Sequence, residues 1–357
     1  MAALGVRRVQ PAIATARLAW PVAERARAVG RVRGGAGALL GHETERGADA
    51  ADPGDRPGHD DAGQEAIGEF GADAIRWYLL SSSHPWLPKR FDPAGVREVQ
   101  RKAFDTLRSS YHFFSLYADL EGWQPSGKDV PAGQRPIMDR WLLSRLTELT
   151  QVVTEQMEAY NLTHAVRALG DFIIDDLSNW YVRRSRDRFW GSGDSQDTRA
   201  AFATLHRSLV DVTTLAAPFA PFLSDWLHRS LEGGQSAHLA ALPSPDGGLR
   251  DPSLERGMEA VRTLATLGRA ARERVRIRVR QPLAVLYAVV PDAAAVNEEL
   301  LEILRDELNV KRVEFMHRAE ELVTFNAKPN FKAIGARFGG LTQHGSGGLS
   351  WRNSAPH

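Results

Sequence analysis

The chain has 357 residues, 45 basic against 44 acidic side chains for a formal net charge of +1, and no cysteine. Disulfides and thiolate metal sites are therefore excluded, and no apolar run approaches the roughly 18 residues that a membrane-spanning helix needs. A charge so near neutrality argues neither for nor against a polyanionic partner, which would have to be met by a local cluster.

Residues 1–64 are rich in Ala, Gly and Arg and contain no Lys, Phe or Tyr. So little bulky apolar surface cannot offset the entropy of ordering the chain, and disorder is expected there. Residues 1–40 hold seven arginines and one acid, Glu24. That bias imitates a transit peptide, but GC-rich sequence read out of frame produces it too, and a cytoplasmic location is expected.

Residues 65–92 include the apolar run Trp77-Tyr78-Leu79-Leu80. A helix is predicted from Pro93 to Tyr117. A second follows Pro136, where Trp141, Leu142, Leu146, Leu149, Val153 and Met157 recur three and four apart between Ile137 and Tyr160. A third runs from about Thr163 to Trp190 on a stripe of Val166, Leu169, Phe172, Ile173, Leu177, Trp180 and Tyr181, and Gly191-Ser192-Gly193 ends it. A fourth starts near Asp197 and carries Phe202, Leu205, Leu209, Val212 and Leu215 up to Pro218 and Pro221. Together these predict an antiparallel helical bundle over 93–242.

Pro243-Ser244-Pro245-Asp246-Gly247-Gly248 reads as a linker. Beyond Pro252 the pattern predicts a helix bearing Leu254, Met258, Val261, Leu264 and Leu267, then a half-buried strand over Val275–Arg280. The apolar run Leu283–Val290 could pair with that strand; a helix is predicted at Glu298–Leu308 and a strand at Lys311–Phe315. The fold class is thus mainly α, a helical bundle followed by a small α+β appendage over 252–338, with a disordered tail at 339–357.

The segment Asp175–Trp190 interleaves Arg183, Arg184, Arg186 and Arg188 with aromatic residues in one helix-compatible run. Guanidinium forks suit phosphate and exposed rings suit bases, so the segment could meet unpaired RNA; an amphipathic helix with a solvated arginine face would look similar. Trp180 and Tyr181 follow the buried stripe and are expected in the core. Phe189 and Trp190, at the helix end, are the better stacking candidates. Arg276, Arg278 and Arg280 alternate and could touch phosphate or simply be solvated. The sequence has no GxGxxG, Walker or HExxH string, and Asp175 and Asp176 diverge by about 100° on a helix, so neither a shared proton nor a metal is expected there.

Several strings occur in a family's order: Phe70-Gly71-Ala72-Asp73-Ala74-Ile75-Arg76-Trp77, Tyr111-His112-Phe113-Phe114, Asp139-Arg140-Trp141-Leu142-Leu143, the arginine–aromatic segment, Ala217-Pro218-Phe219-Ala220-Pro221-Phe222, Ser236-Ala237-His238-Leu239 and Val279-Arg280-Gln281-Pro282-Leu283. Across them the chain resembles the carboxy-terminal, anticodon-binding portion of isoleucyl-tRNA synthetases, of the class I type. Asp306-Glu307-Leu308-Asn309-Val310-Lys311 and Lys328-Pro329-Asn330-Phe331-Lys332 favour isoleucyl over valyl, leucyl and methionyl relatives.

The resemblance implies a tRNA partner, isoleucine tRNA first, bound through Arg183, Arg184, Arg186, Arg188, Phe189, Trp190, Lys328, Asn330, Phe331 and Lys332. The family's reaction is ATP-dependent attachment of isoleucine to its tRNA. Its His-Ile-Gly-His and Lys-Met-Ser-Lys-Ser type strings do not occur here, so the chain alone is expected to be inactive and to hold no cofactor, ATP and magnesium serving the family's catalytic domain. Residues 65–92 would be the junction to that domain, and an exposed patch at Trp77–Leu80 could dock a protein instead, the alternative reading. Similarity begins near Glu65 and fades near Gly339, as a displaced coding frame at both ends or a truncation would produce.

Overall fold

The computed structural model describes residues 59–125, 130–190, 195–290 and 295–316. The expectations for residues 1–58 and for the tail 339–357 lie outside them. The chain divides between Asp251 and Pro252 into two compact units.

The first unit opens with α1 (His59–Phe70) and α2 (Ala72–Ser82), joined at Gly71, whose φ of 77° allows the sharp reversal. α1 begins inside the stretch whose composition predicts disorder. Its far end supplies the stabilisation: Phe70, with Ala74 and Val96, forms a buried cluster against Ala66, Ile75, Tyr78, Phe91 and Phe104. α3 (Pro93–Val99) starts at a proline, and the Asp92 side chain accepts from the Ala94 and Gly95 amides at 3.0 and 3.3 Å. It passes through a π-helical stretch (Gln100–Phe104) into α4 (Asp105–Glu121), stopped by Gly122 at φ 62°.

The expected sticky junction is partly corrected. Trp77 is 4% exposed and packs edge-on against Phe104 and Phe219, while Tyr78, Leu79 and Leu80 are half-buried. α2 is tied down by Arg76, which donates to Pro218 O at 2.8 Å, and by Asp73, which accepts from the Leu223 amide at 2.7 Å. Burial lifts the Asp73 carboxyl above its ordinary range, and the Leu223 and Phe222 amides only partly offset this. Exposed apolar surface near this junction lies instead at Trp86 and Leu87.

The bundle proper contains α5 (Ile137–Glu158), then a continuous helical run of α6 (Leu162–Asp171), a π-helical stretch (Phe172–Val182) and α7 (Arg183–Phe189), then α8 (Gln196–Ala216) and α9 (Pro221–Leu231). Ser195 caps α8 by accepting from the Thr198 amide at 3.0 Å. Leu142, Val166, Leu169, Leu177, Leu205, Leu209 and Val212 are fully buried between these helices. Each contributes roughly 1.5–3 kcal/mol of apolar burial, which is what holds the α5, α6 and α8 stripes together.

The π stretch alters the face that follows it. A 3.6-residue stripe running through Leu177 and Tyr181 would continue to Arg184 and Arg188, but π turns take up about one extra residue. The buried positions from its last residue onward are instead Val182, Ser185 and Phe189.

In the second unit α10 (Pro252–Arg274) is followed by β1 (Leu283–Ala288), α11 (Glu298–Leu308) and β2 (Val310–Phe315). β1 and β2 pair in parallel, Leu283 opposite Val310 and Ala288 opposite Phe315, with α11 on the connection between them. Leu254, Met258, Val261 and Leu264 of α10 and Leu300, Ile303, Leu304 and Leu308 of α11 are buried. Gly257 sits so close to Ala295 O and Leu300 that a Cβ would collide with both.

The expected strand at Val275–Arg280 does not form, and β1 pairs with β2 rather than with it. The end of α10 is why. The Ile277 amide returns to Arg272 O at 2.8 Å and the Arg276 amide to Glu273 O at 3.0 Å, with Arg276 left-handed at φ 58°. The buried Arg272 guanidinium then donates to Arg278 O, Gln281 O, Leu308 O and Asn309 O, removing carbonyls that a ladder would need.

Candidate nucleic-acid interface

α7 and its C-terminal Trp190 hold the arginine–aromatic segment, and a buried ionic network locks them to the bundle. Asp139, in the first turn of α5, is 0% exposed. Arg188 grips it with two donors, Nη1 to Oδ1 at 2.9 Å and Nη2 to Oδ2 at 2.6 Å. The same guanidinium donates from Nε to both oxygens of Asp197, at 3.0 and 3.1 Å, in the first turn of α8. Tyr181 Oη donates to Asp139 Oδ1 at 2.5 Å. Both carboxylates stand where helix dipoles favour negative charge, so one cation ties the starts of two helices to the end of a third.

The electrostatics follow from that geometry. Burial alone would ease the proton off Arg188, but its hydrogen bond to Asp139 and the nearby negative charge reverse the effect and hold the guanidinium protonated. Burial, and then the Asp139 carboxylate, push the Tyr181 phenol well above its usual value, so it stays a donor.

The sequence-predicted residues separate into two groups. Arg188 is an internal tether and not a free phosphate ligand. Phe189 is 0% exposed, packed edge-on between Phe113 at 5.1 Å and Phe202 at 4.9 Å, so it cannot offer a face to a base. The π stretch turns position 189 inward, while Arg188 is drawn in by the buried Asp139 carboxylate. Trp180 and Tyr181 are buried.

Trp190 is 55% exposed, with Tyr117 of α4 behind it at 6.3 Å and Phe113 4.9 Å further in. Arg183 is exposed and lies over the Trp180 ring at 5.4 Å, its Nε donating to Asn179 O. Arg186 is exposed and makes no ion pair among the described residues; Arg184 is half-buried. Of the predicted residues, Arg183, Arg186 and Trp190 therefore face solvent, with the acid Asp187 exposed beside them. Lys328, Asn330, Phe331 and Lys332 lie outside the described residues.

Asp139, Asp197 and Tyr117 carry no role in the sequence reading, yet they shape this end of the bundle. Only the position of the two acids just inside predicted helix starts could have pointed to them. Asp176 is 4% exposed in its side chain and accepts from Arg145 Nε at 2.9 Å, while Asp171 is pushed up by burial and then by the charges of Asp175 and Asp176. Among the described residues no group of three or more His, Cys, Asp or Glu could hold a metal, and no helix is long and apolar enough to cross a membrane.

Residues 139–287 match the family described as the anticodon-binding domain of tRNA ligase. The chain is 41% identical over 278 residues to the isoleucine–tRNA ligase of Porphyromonas gingivalis, covering 77% of this chain and 24% of that protein. It is 44% identical over 286 residues to the isoleucine–tRNA ligase of Thermus thermophilus, covering 78% and 27%. Against that of Deinococcus radiodurans it is 44% identical over 275 residues, covering 76% and 25%. The chain thus spans about a quarter of the length of the curated relatives it matches.

Proposed function

We propose that this chain, whose residues 139–287 match the anticodon-binding domain of tRNA ligase, binds tRNA, isoleucine tRNA in particular, through the outer side of α7 and Trp190. Trp190 carries the reading: a large ring 55% exposed at a helix end, backed by Tyr117 and flanked by the exposed Arg183 and Arg186. Base stacking on such a ring contributes about 1–3 kcal/mol and tolerates any base. The guanidiniums would hold phosphates and set the register, while selection among tRNAs would come from groups contacting base edges. Identity to isoleucine–tRNA ligases supports isoleucine tRNA as the preferred partner. Binding needs no covalent chemistry, and isoleucine attachment is not assigned to this chain. A cytoplasmic setting accords with a role in translation.

The test is binding of the purified chain to isoleucine tRNA and to an unrelated tRNA over a salt series. Preferential binding that weakens steeply with salt is expected. Equal or absent binding by folded protein overturns the proposal. Trp86, 68% exposed and stacked on His84, with Leu87 beside it, favours a second reading in which this surface docks a protein. Such docking would be nearly indifferent to salt.

A further inference from the structure

The end of α10, in the second unit, presents a cationic turn. Arg274, Arg276, Arg278 and Arg280 are all exposed, and none makes an ion pair or side-chain hydrogen bond among the described residues. The one acid between Arg274's helical turn and Arg280 is the exposed Glu273; the nearby Glu307 is taken up by Arg269 at 2.6 Å. Among the described residues, therefore, neither Glu273 nor the exposed Asp306 of α11 pairs with any of the four cations.

The backbone beneath them is fixed. Buried Arg272 donates to Arg278 O and Gln281 O at 3.0 Å each, and Asn309 Nδ2 donates to Val279 O at 3.1 Å and Arg280 O at 3.0 Å. Two side chains thus hold the turn open as a platform, so little backbone entropy is left to lose when a ligand binds. Arg276 adds a second, independent observation. It occupies the left-handed position of the helix cap, φ 58°, where glycine is the least strained residue, and its side chain makes no hydrogen bond or ion pair among the described residues in return. Backbone strain with no internal compensation points to an external partner.

We infer that the Arg274–Arg280 turn docks the phosphodiester backbone of RNA, without reading sequence. Planar guanidiniums match phosphate geometry, and no exposed aromatic ring lies within the turn to stack a base. The inference rests on the RNA-binding reading above and adds a second, non-discriminating contact in the other unit.

The test uses the full chain, isoleucine tRNA and an unrelated tRNA, and the slope of log affinity against log salt. A quadruple glutamine variant (R274Q, R276Q, R278Q, R280Q) should lower the slope by about 3 for both tRNAs alike, since each lost phosphate contact removes about 0.7–0.9. Arg276→Gly guards against misfolding: glycine suits the left-handed cap, so the melting temperature holds or rises while the slope falls by about one. Unchanged slopes in both variants overturn the inference. So does wild-type binding to equimolar phosphatidylserine–phosphatidylcholine vesicles in place of RNA. If Trp190→Ala weakens binding while the arginine variants do not, only this inference falls. If wild-type protein binds neither tRNA, the proposed function falls with it.

Discussion

Arg188→Ala should be the most damaging single substitution in the arginine segment, although arginine is usually a surface residue. Its side chain is 17% exposed and its guanidinium satisfies Asp139, which is 0% exposed, through two hydrogen bonds. Truncation leaves a buried carboxylate with one phenolic donor, Tyr181, and releases Asp197 at the start of α8. Removing one partner of a buried pair costs about 3–5 kcal/mol. At roughly 2–4 °C per kcal/mol for a unit of this size, the melting temperature should drop by about 6–20 °C. Urea unfolding followed by circular dichroism should show a lower midpoint at an unchanged slope, while Arg186→Ala, at an exposed position with no ion pair among the described residues, should stay within about 0.5 kcal/mol of wild type. The double variant Asp139→Asn/Arg188→Met should be less destabilised than the sum of its singles, because it leaves no uncompensated charge. A loss below about 1 kcal/mol for Arg188→Ala would refute the view that this network fixes α7 against α5 and α8.

Trp190→Ala should weaken tRNA binding by about 1–3 kcal/mol, read by fluorescence anisotropy, and leave the melting temperature almost unchanged because the ring is 55% exposed. Gly257→Ala should destabilise the second unit by about 1–3 kcal/mol, since the new methyl collides with the Ala295 carbonyl; faster amide exchange in α10 and α11 is the readout, and wild-type protection would contradict the packing. The Asp211 carboxyl is held above its ordinary 3.8, by burial first and with Glu232 adding, against the pull of Arg207. Between 3.8 and the raised folded value the native state binds more protons than the unfolded chain, so this group's contribution falls as pH rises through that window. Asp211→Asn should therefore flatten that part of the stability–pH curve, and a curve identical to wild type would contradict it.

Much of the bundle was legible because periodicity is a local property. Trp141, Leu146 and Val153 mark one face of α5 whatever surrounds it, and the helix expected at Glu298–Leu308 forms over those residues as α11. The resemblance to isoleucyl-tRNA synthetases was legible as well, in short strings that hold their order along the chain. The candidate site was legible only as a segment: Trp190 lies at the surface as expected, whereas Phe189 and Arg188 do not.

What the sequence determined by itself is the helical class, the main element positions and the family likeness, all carried by nearest-neighbour patterns of apolar and breaking residues. Tertiary structure alone decided which arginine is a tether, which aromatic is core, and that Val275–Arg280 caps a helix instead of forming a strand. Those outcomes depend on partners far along the chain, Asp139 for Arg188 and Leu308 and Asn309 for Arg272. The one-residue slip of the π stretch belongs with them. A hydrogen bond formed across the fold, or an extra residue in a helical turn, can redirect a side chain without leaving any periodic trace in the sequence.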